Sequence, residues 1–157
     1  MPSPLFRRIL VPHDFSDEAD QALALAARLA GDRDGRLHVL HVIEPYYGPS
    51  DLTYAAMVPP PESLVPEQKR DLERRVQKVI GAKGPRTTVQ VLVGNPTHAI
   101  VEAASKADSV VMATMGRTGL GHLLIGSVAE KVVRHSPVPV LTLRPGTKGG
   151  GRGKRRG

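Results

Sequence analysis

The chain runs to 157 residues, enough for one domain with a proper core. It carries 22 Lys and Arg against 15 Asp and Glu, a net charge of +7, and no cysteine, so disulfides, thiolate metal ligands and thiol chemistry are excluded. No run is long enough to span a membrane, and the opening MPSPLFRRILV lacks a long apolar stretch and a small-residue cleavage site; a soluble, cytoplasmic protein is the expectation.

Leu5 to Val11 (LFRRILV) predicts an apolar first strand, cut by Pro12. Ser16 can cap the helix that follows, and Asp17 and Glu18 suit its first turn. Ala19, Ala22, Leu23, Ala26 and Ala30 recur at i, i+3, i+4 spacing and predict one buried face, with Gly31 and Gly35 bracketing the exit. Leu37 to Ile43 (LHVLHVI) predicts the second strand. His38 and His41, three apart on it, face opposite sides and make no metal pair. Residues 45–65 show no periodicity and hold Tyr46, Tyr47 and Tyr54; so long a loop predicts either a functional flap or an ordinary variable surface segment.

A second helix is expected from Pro66, a residue suited to a first turn. Leu72, Val76, Val79 and Ile80 form its apolar stripe, and its other face is densely charged. Thr87 to Val93 (TTVQVLV) is β-branched and reads as a third strand. Gly94-Asn95-Pro96 makes a turn, with Asn95 as N-cap and Pro96 at the first helical position, and Ile100, Val101 and Ala104 line a third helix. Asp108 to Met112 reads as a buried fourth strand. From Ala113 to Glu130 the sequence ATMGRTGLGHLLIGSVAE carries Gly116, Gly119, Gly121 and Gly126 and ends on an S-x-x-E capping box, Ser127 with Glu130. Val128, Val132 and Val133 line the fourth helix. Val138 to Leu143 (VPVLTL) gives a fifth strand, whose internal Pro139 predicts a sheet edge and whose apolar edge invites a second copy of the chain.

The last stretch, GTKGGGRGKRRG, holds Lys148, Arg152, Lys154, Arg155 and Arg156 and no acid, so five of the seven net charges sit there. This predicts a disordered basic tail over 146–157 after a domain over 1–145. Weak attachment to nucleic acid is one use for it; a plain solvated end is the other, since no aromatic there can stack on bases.

Five strands alternating with four helices predict an α/β doubly wound domain with a parallel sheet and helices on both faces. If the strand order is 3-2-1-4-5, the switch point lies between the first and fourth strands, and ligands bind beyond the carboxyl ends of strands at such a point. Val11-Pro12-His13-Asp14 and the glycine loop would emerge there together. Glycines let backbone N–H groups approach a phosphate, and a helix N-terminus offers unpaired donors and a positive dipole end. The loop therefore predicts a hold for a nucleotide phosphate chain. Arg117 is a candidate phosphate cation, and Lys131 can help neutralise the phosphate. Each polar residue also has a plainer role: Ser127 can cap its own helix, Asp14 can bond the amides of its own turn, and Arg117 and Lys131 can point to solvent. Gly121-x4-Gly126-Ser127 resembles a P-loop without its lysine, so efficient phosphoryl transfer is not expected.

The chain resembles the universal stress protein family over nearly its whole length up to the tail. The residues that carry this are ILVPHDFSDEADQAL, LHVLHVIEP, the GNP turn and MATMGRTGLGHLLIGSVAEKVVRHSPVPVL. The nucleotide-binding branch of that family has G-x2-G-x9-G-[S/T]; here Ala113 stands at the first glycine, followed by Gly116, nine residues, Gly126 and Ser127. The added β-carbon of Ala113 falls on the ribose side of the motif, and the phosphate side is intact. The resemblance implies a Rossmann-like fold, ATP as ligand with Mg²⁺ or Mn²⁺, and a homodimer through the last strand. It implies Asp14 at the ribose or adenine edge, Pro12 and Val42 as adenine walls, and Gly116, Gly126, Ser127 and Val128 on the phosphates. Three readings follow: an ATP-binding regulatory protein of the stress response, an interaction module of the same fold with an empty cleft, and a slow nucleotide hydrolase. The intact Gly116…Gly126-Ser127 spacing favours the first.

Overall fold

Strand β1, Arg8–Pro12, is buried at every position after its first, as a strand covered on both faces must be. A computed structural model describes residues 6–31, 34–45, 59–114 and 125–144. Over these the elements run β1, α1 (Asp17–Gly31), β2 (Arg36–Ile43), α2 (Pro61–Ile80), β3 (Arg86–Val93), α3 (Pro96–Ala104), β4 (Ser109–Ala113), α4 (Ser127–His135) and β5 (Val140–Leu143). The five strands form one sheet in the order β3-β2-β1-β4-β5, and every pairing is parallel. The order of strands reverses between β1 and β4, where Ile9 faces Ser109 and Leu10 faces Val110.

Side chains alternate across each strand, so the sheet builds two cores. Ile9, Val11, Val39 and Ile43 pack with Ala22, Leu23 and Ala26 of α1 and Leu72 and Val76 of α2. Leu10, Leu40, Val110 and Met112 pack on the other face with Ile100 and Ala104 of α3 and Ala129 and Val132 of α4. The five alanine and leucine positions predicted for α1 are all buried. Their small size lets the chain pass close by: a Cβ on Gly35 would lie 2.7 Å from the Phe6 carbonyl oxygen and 2.9 Å from Ala30, so this position admits only glycine.

The N-caps of α1 and α3 form as expected. The Ser16 hydroxyl accepts from the Ala19 N–H at 3.1 Å, and the Asn95 side chain accepts from the His98 N–H at 3.0 Å. Four expectations need correction. Helix α2 begins at Pro61, and Pro66 lies inside it; Leu64 and Val65 pack on the α1-side core, and that contact outweighs the one backbone bond a proline forfeits. The N-cap of α4 is Gly126, not Ser127: the Glu130 N–H bonds the Gly126 carbonyl at 2.9 Å, which places Ser127 at the first helical position and leaves no side-chain cap. Val133 of α4 is exposed, and Ala129 takes its place in the buried face. Pro139 precedes β5 instead of lying within it, although β5 is an edge strand. The three tyrosines of the expected flap, Gly119, Gly121 and the basic tail lie outside the described residues. Among the described residues no helix is long and apolar enough to cross a membrane.

Candidate functional site

A cleft of about 970 Å³ opens beyond the carboxyl ends of the strands, at the β1/β4 switch point. Pro12, Asp14, Val42, Ala113, Gly126, Ser127 and Val128, which the sequence singles out across 117 positions, all line it. Gly116 and Arg117 lie outside the described residues.

Each side of the cleft is fixed by the end of a strand. From β1 the chain turns sharply into α1, and Phe15 takes φ of +65°, a conformation a bulky side chain rarely adopts. Hydrogen bonds on both flanks hold it there. The Phe15 N–H donates to His13 Nδ1 at 3.0 Å, and the Ser16 N–H donates to Asp14 Oδ1 at 3.1 Å. The Asp14 carboxylate thus shapes its own turn and lines the cleft at once. On the other side, the Gly126 N–H donates to the Thr114 carbonyl at 2.6 Å, and the Thr114 N–H donates to the Leu143 carbonyl at 3.0 Å. These two bonds bring the start of α4 back to the end of β4. The amides of Ser127, Val128 and Ala129 fall in the first turn of α4, before any intrahelical acceptor is available, and Gly126 has no side chain to cap them. The N-terminal end of a helix is a site for negative charge.

Next to the Asp14 turn a chain of polar side chains runs outward from a buried histidine. His13 is 3% exposed. Because its Nδ1 accepts from the backbone, its proton sits on Nε2 and points to Asp20 Oδ1 at 2.9 Å. Arg75 of α2 donates to the same Asp20 oxygen at 2.8 Å and to Asp17 at 3.1 Å. The His41 Nδ1–H donates to the His13 carbonyl at 2.7 Å, and its ring meets Phe15 edge-on at 4.7 Å. Burial pushes the His13 imidazole below its ordinary range, and this outweighs the opposing pull of Asp20.

Sequence reasoning missed this chain and the α2 wall. Gln68, Asp71 and Arg75 reach the cleft from a helix face that reads as solvated charge. Their i, i+3, i+7 spacing marks one face, but nothing local says that the face meets the end of β1. His13 stands beside Asp14 in sequence, yet its partner is Asp20, one turn into α1.

The family model described as "Universal stress protein family" matches residues 5–144, nearly all of the chain. The chain belongs to the universal stress protein family. A universal stress protein of Thermus aquaticus, from the QAH/OAS sulfhydrylase 3′ region, is 36% identical over 149 residues, covering 89% of this chain and all of that protein. Among solved universal stress proteins, UspA of Lactobacillus plantarum superposes with a TM-score of 0.73 at 26% identity, covering 88% of this chain and 98% of its own. A universal stress protein of Archaeoglobus fulgidus solved in complex with dAMP shares the fold at a TM-score of 0.58 and 23% identity, covering 88% and 98%.

Proposed function

We propose that this universal stress protein is a regulatory protein that binds ATP in the β1/β4 cleft. The observation that carries the reading is the meeting of the uncapped first turn of α4 with the Asp14 turn of β1 in one cleft. The Ser127, Val128 and Ala129 amides offer donors to phosphate oxygens. Pro12 and Val42 offer apolar walls to the base, beside Ile100 and Met112, and Asp14 offers an acceptor to the ribose. The cleft volume is at the upper end of the range for small-molecule sites, so a nucleoside triphosphate fits. Mg²⁺ or Mn²⁺ would enter as the counter-ion of the triphosphate. The dAMP-bound relative is of the same fold and supports an adenine nucleotide as the ligand class. A lysine does not follow Gly126, so the bound nucleotide acts by being held, not by fast turnover.

Calorimetry with ATP and Mg²⁺ tests this, at salt high enough to silence the basic residues after Arg144. The expected result is saturable heat at one nucleotide per chain. No heat from ATP or other adenine nucleotides would overturn the reading.

We further infer that the protein forms a homodimer through Val138–Leu143. Among the described residues strand β5 pairs with β4 alone, and Leu141 on it is 40% exposed. An apolar edge strand is a template for a second copy. Leu141→Lys puts a charge on that edge and is expected to weaken self-association about tenfold or more, moving the mass from light scattering toward the monomer. A dimer that survives Leu141→Lys unchanged would place the interface elsewhere.

A further inference from the structure

We propose that Gln68 is a specificity-determining contact, its side-chain oxygen accepting a hydrogen bond from a donor on the nucleoside end of the bound ligand. Gln68, Asp71 and Arg75 share one face of α2 and form one wall of the cleft. Two of the three are satisfied by the protein. Asp71 pairs with Arg74, and Arg75 pairs with Asp20 and Asp17. Gln68 is different: its Oε1 is shut off from solvent and meets no hydrogen-bond partner among the described residues.

A buried acceptor without a partner is a standing cost to the folded chain, and native proteins carry few of them. One placed on the wall of a ligand cleft has a use when the ligand brings the missing donor. Phosphate oxygens are acceptors and cannot fill this role. The nucleoside carries the donors: the exocyclic amine of the base and the ribose hydroxyls. The α4 amides attract the anionic end, and Gln68 attracts the other end, so the two would fix the direction in which the ligand lies. A site that leaves its own polar group unpaired also rejects a ligand lacking the matching donor, and this is the physical origin of its selectivity.

The inference rests on the nucleotide reading of the cleft, and Gln68→Met tests it separately. Methionine keeps the length and the helix propensity and needs no partner. The ligand-free variant is expected to melt about 2–4 °C higher, because the unpaired oxygen is gone. ATP is expected to bind it about tenfold more weakly. Titrations with 2′-deoxy-ATP, 3′-deoxy-ATP and purine riboside triphosphate then locate the donor. The analogue that lacks it binds the wild-type protein about tenfold more weakly than ATP does, and Gln68→Met weakens that analogue no further. A lower melting temperature in Gln68→Met, unchanged ATP affinity, or equal weakening of ATP and all three analogues would each overturn the assignment. Wild-type protein that binds no nucleotide overturns this inference together with the functional reading; wild-type protein that binds ATP no better than Gln68→Met overturns the inference alone.

Discussion

Gly126→Val is expected to weaken ATP binding by about 100-fold or more while leaving the protein folded. Gly126 has φ of −65° and ψ of 157°, extended backbone that any residue adopts, so valine brings no conformational strain. The two bonds that hold this corner are main-chain bonds. The Gly126 N–H reaches the Thr114 carbonyl, and the Gly126 carbonyl accepts from the Glu130 N–H. Both survive the substitution. What changes is the surface over the first turn of α4. A branched side chain at the N-cap stands where phosphate oxygens would approach the Ser127 and Val128 amides. Each hydrogen bond to a charged group is worth roughly 1.5–3 kcal/mol, so losing two of them accounts for the expected factor. Circular dichroism on heating checks the fold, and titration with ATP and Mg²⁺ checks the site. Unchanged affinity in a folded Gly126→Val protein would place the nucleotide elsewhere.

The fold was legible because its signals are local and repeated. In α1 the alanine and leucine spacing predicts the buried face residue by residue, and Asn95 before Pro96 marks a helix start by a cap and a fixed φ. Where two local signals compete, the sequence does not decide. Pro61 and Pro66 both suit a first turn; Leu64 and Val65 choose between them by packing on a core built from β1 and β2. Ser127 and Glu130 satisfy the spacing of a capping box, but the Gly126-to-Thr114 bond sets the helix start one residue earlier. That bond spans the loop and leaves no local trace.

The cleft divides in the same way. Its α4 end lies in one short motif and its β1 end at a strand terminus, so both can be read from the chain. The α2 wall and the His13–Asp20–Arg75 chain join residues up to 62 positions apart, and their types are those of any charged helix face. Distance in sequence hides them, not unusual chemistry. The likeness to other universal stress proteins carries the family and the fold; it does not choose between an occupied and an empty cleft. That choice falls to titration with ATP and Mg²⁺.

Lowering the pH from 7.5 to 5.5 is expected to destabilise the protein, and His13 is the main reason. Its imidazole sits among Asp20 of α1, Arg75 of α2, the Asp14 turn and His41 of β2. Burial lowers its tendency to take a proton, and Arg75 adds to this; Asp20 and Asp14 oppose it without winning. The folded state therefore favours neutral His13, whereas the unfolded chain takes up a proton near pH 6.5. The unfolded state binds more protons below that point, so stability is full above about pH 6.5 and falls as the pH drops toward the folded-state value. The His13 share reaches at most about 1.4 kcal/mol at pH 5.5. His38 is also held below its ordinary range, by burial first, and adds a loss of the same sign. Asp108, held low by Arg8, releases its contribution only below the usual carboxylate range and stays out of this window. Urea unfolding at pH 7.5, 6.5 and 5.5 measures the slope. His13→Asn is expected to be less stable at pH 7.5, since Asp20 loses the Nε2–H donor and keeps Arg75, but its stability should fall less steeply below pH 6.5. The level reports the lost hydrogen bond and the slope reports the proton, so the two effects separate in one experiment. A wild-type protein equally stable at pH 7.5 and 5.5, or a His13→Asn protein with an unchanged slope, would remove His13 as the acid-sensitive group.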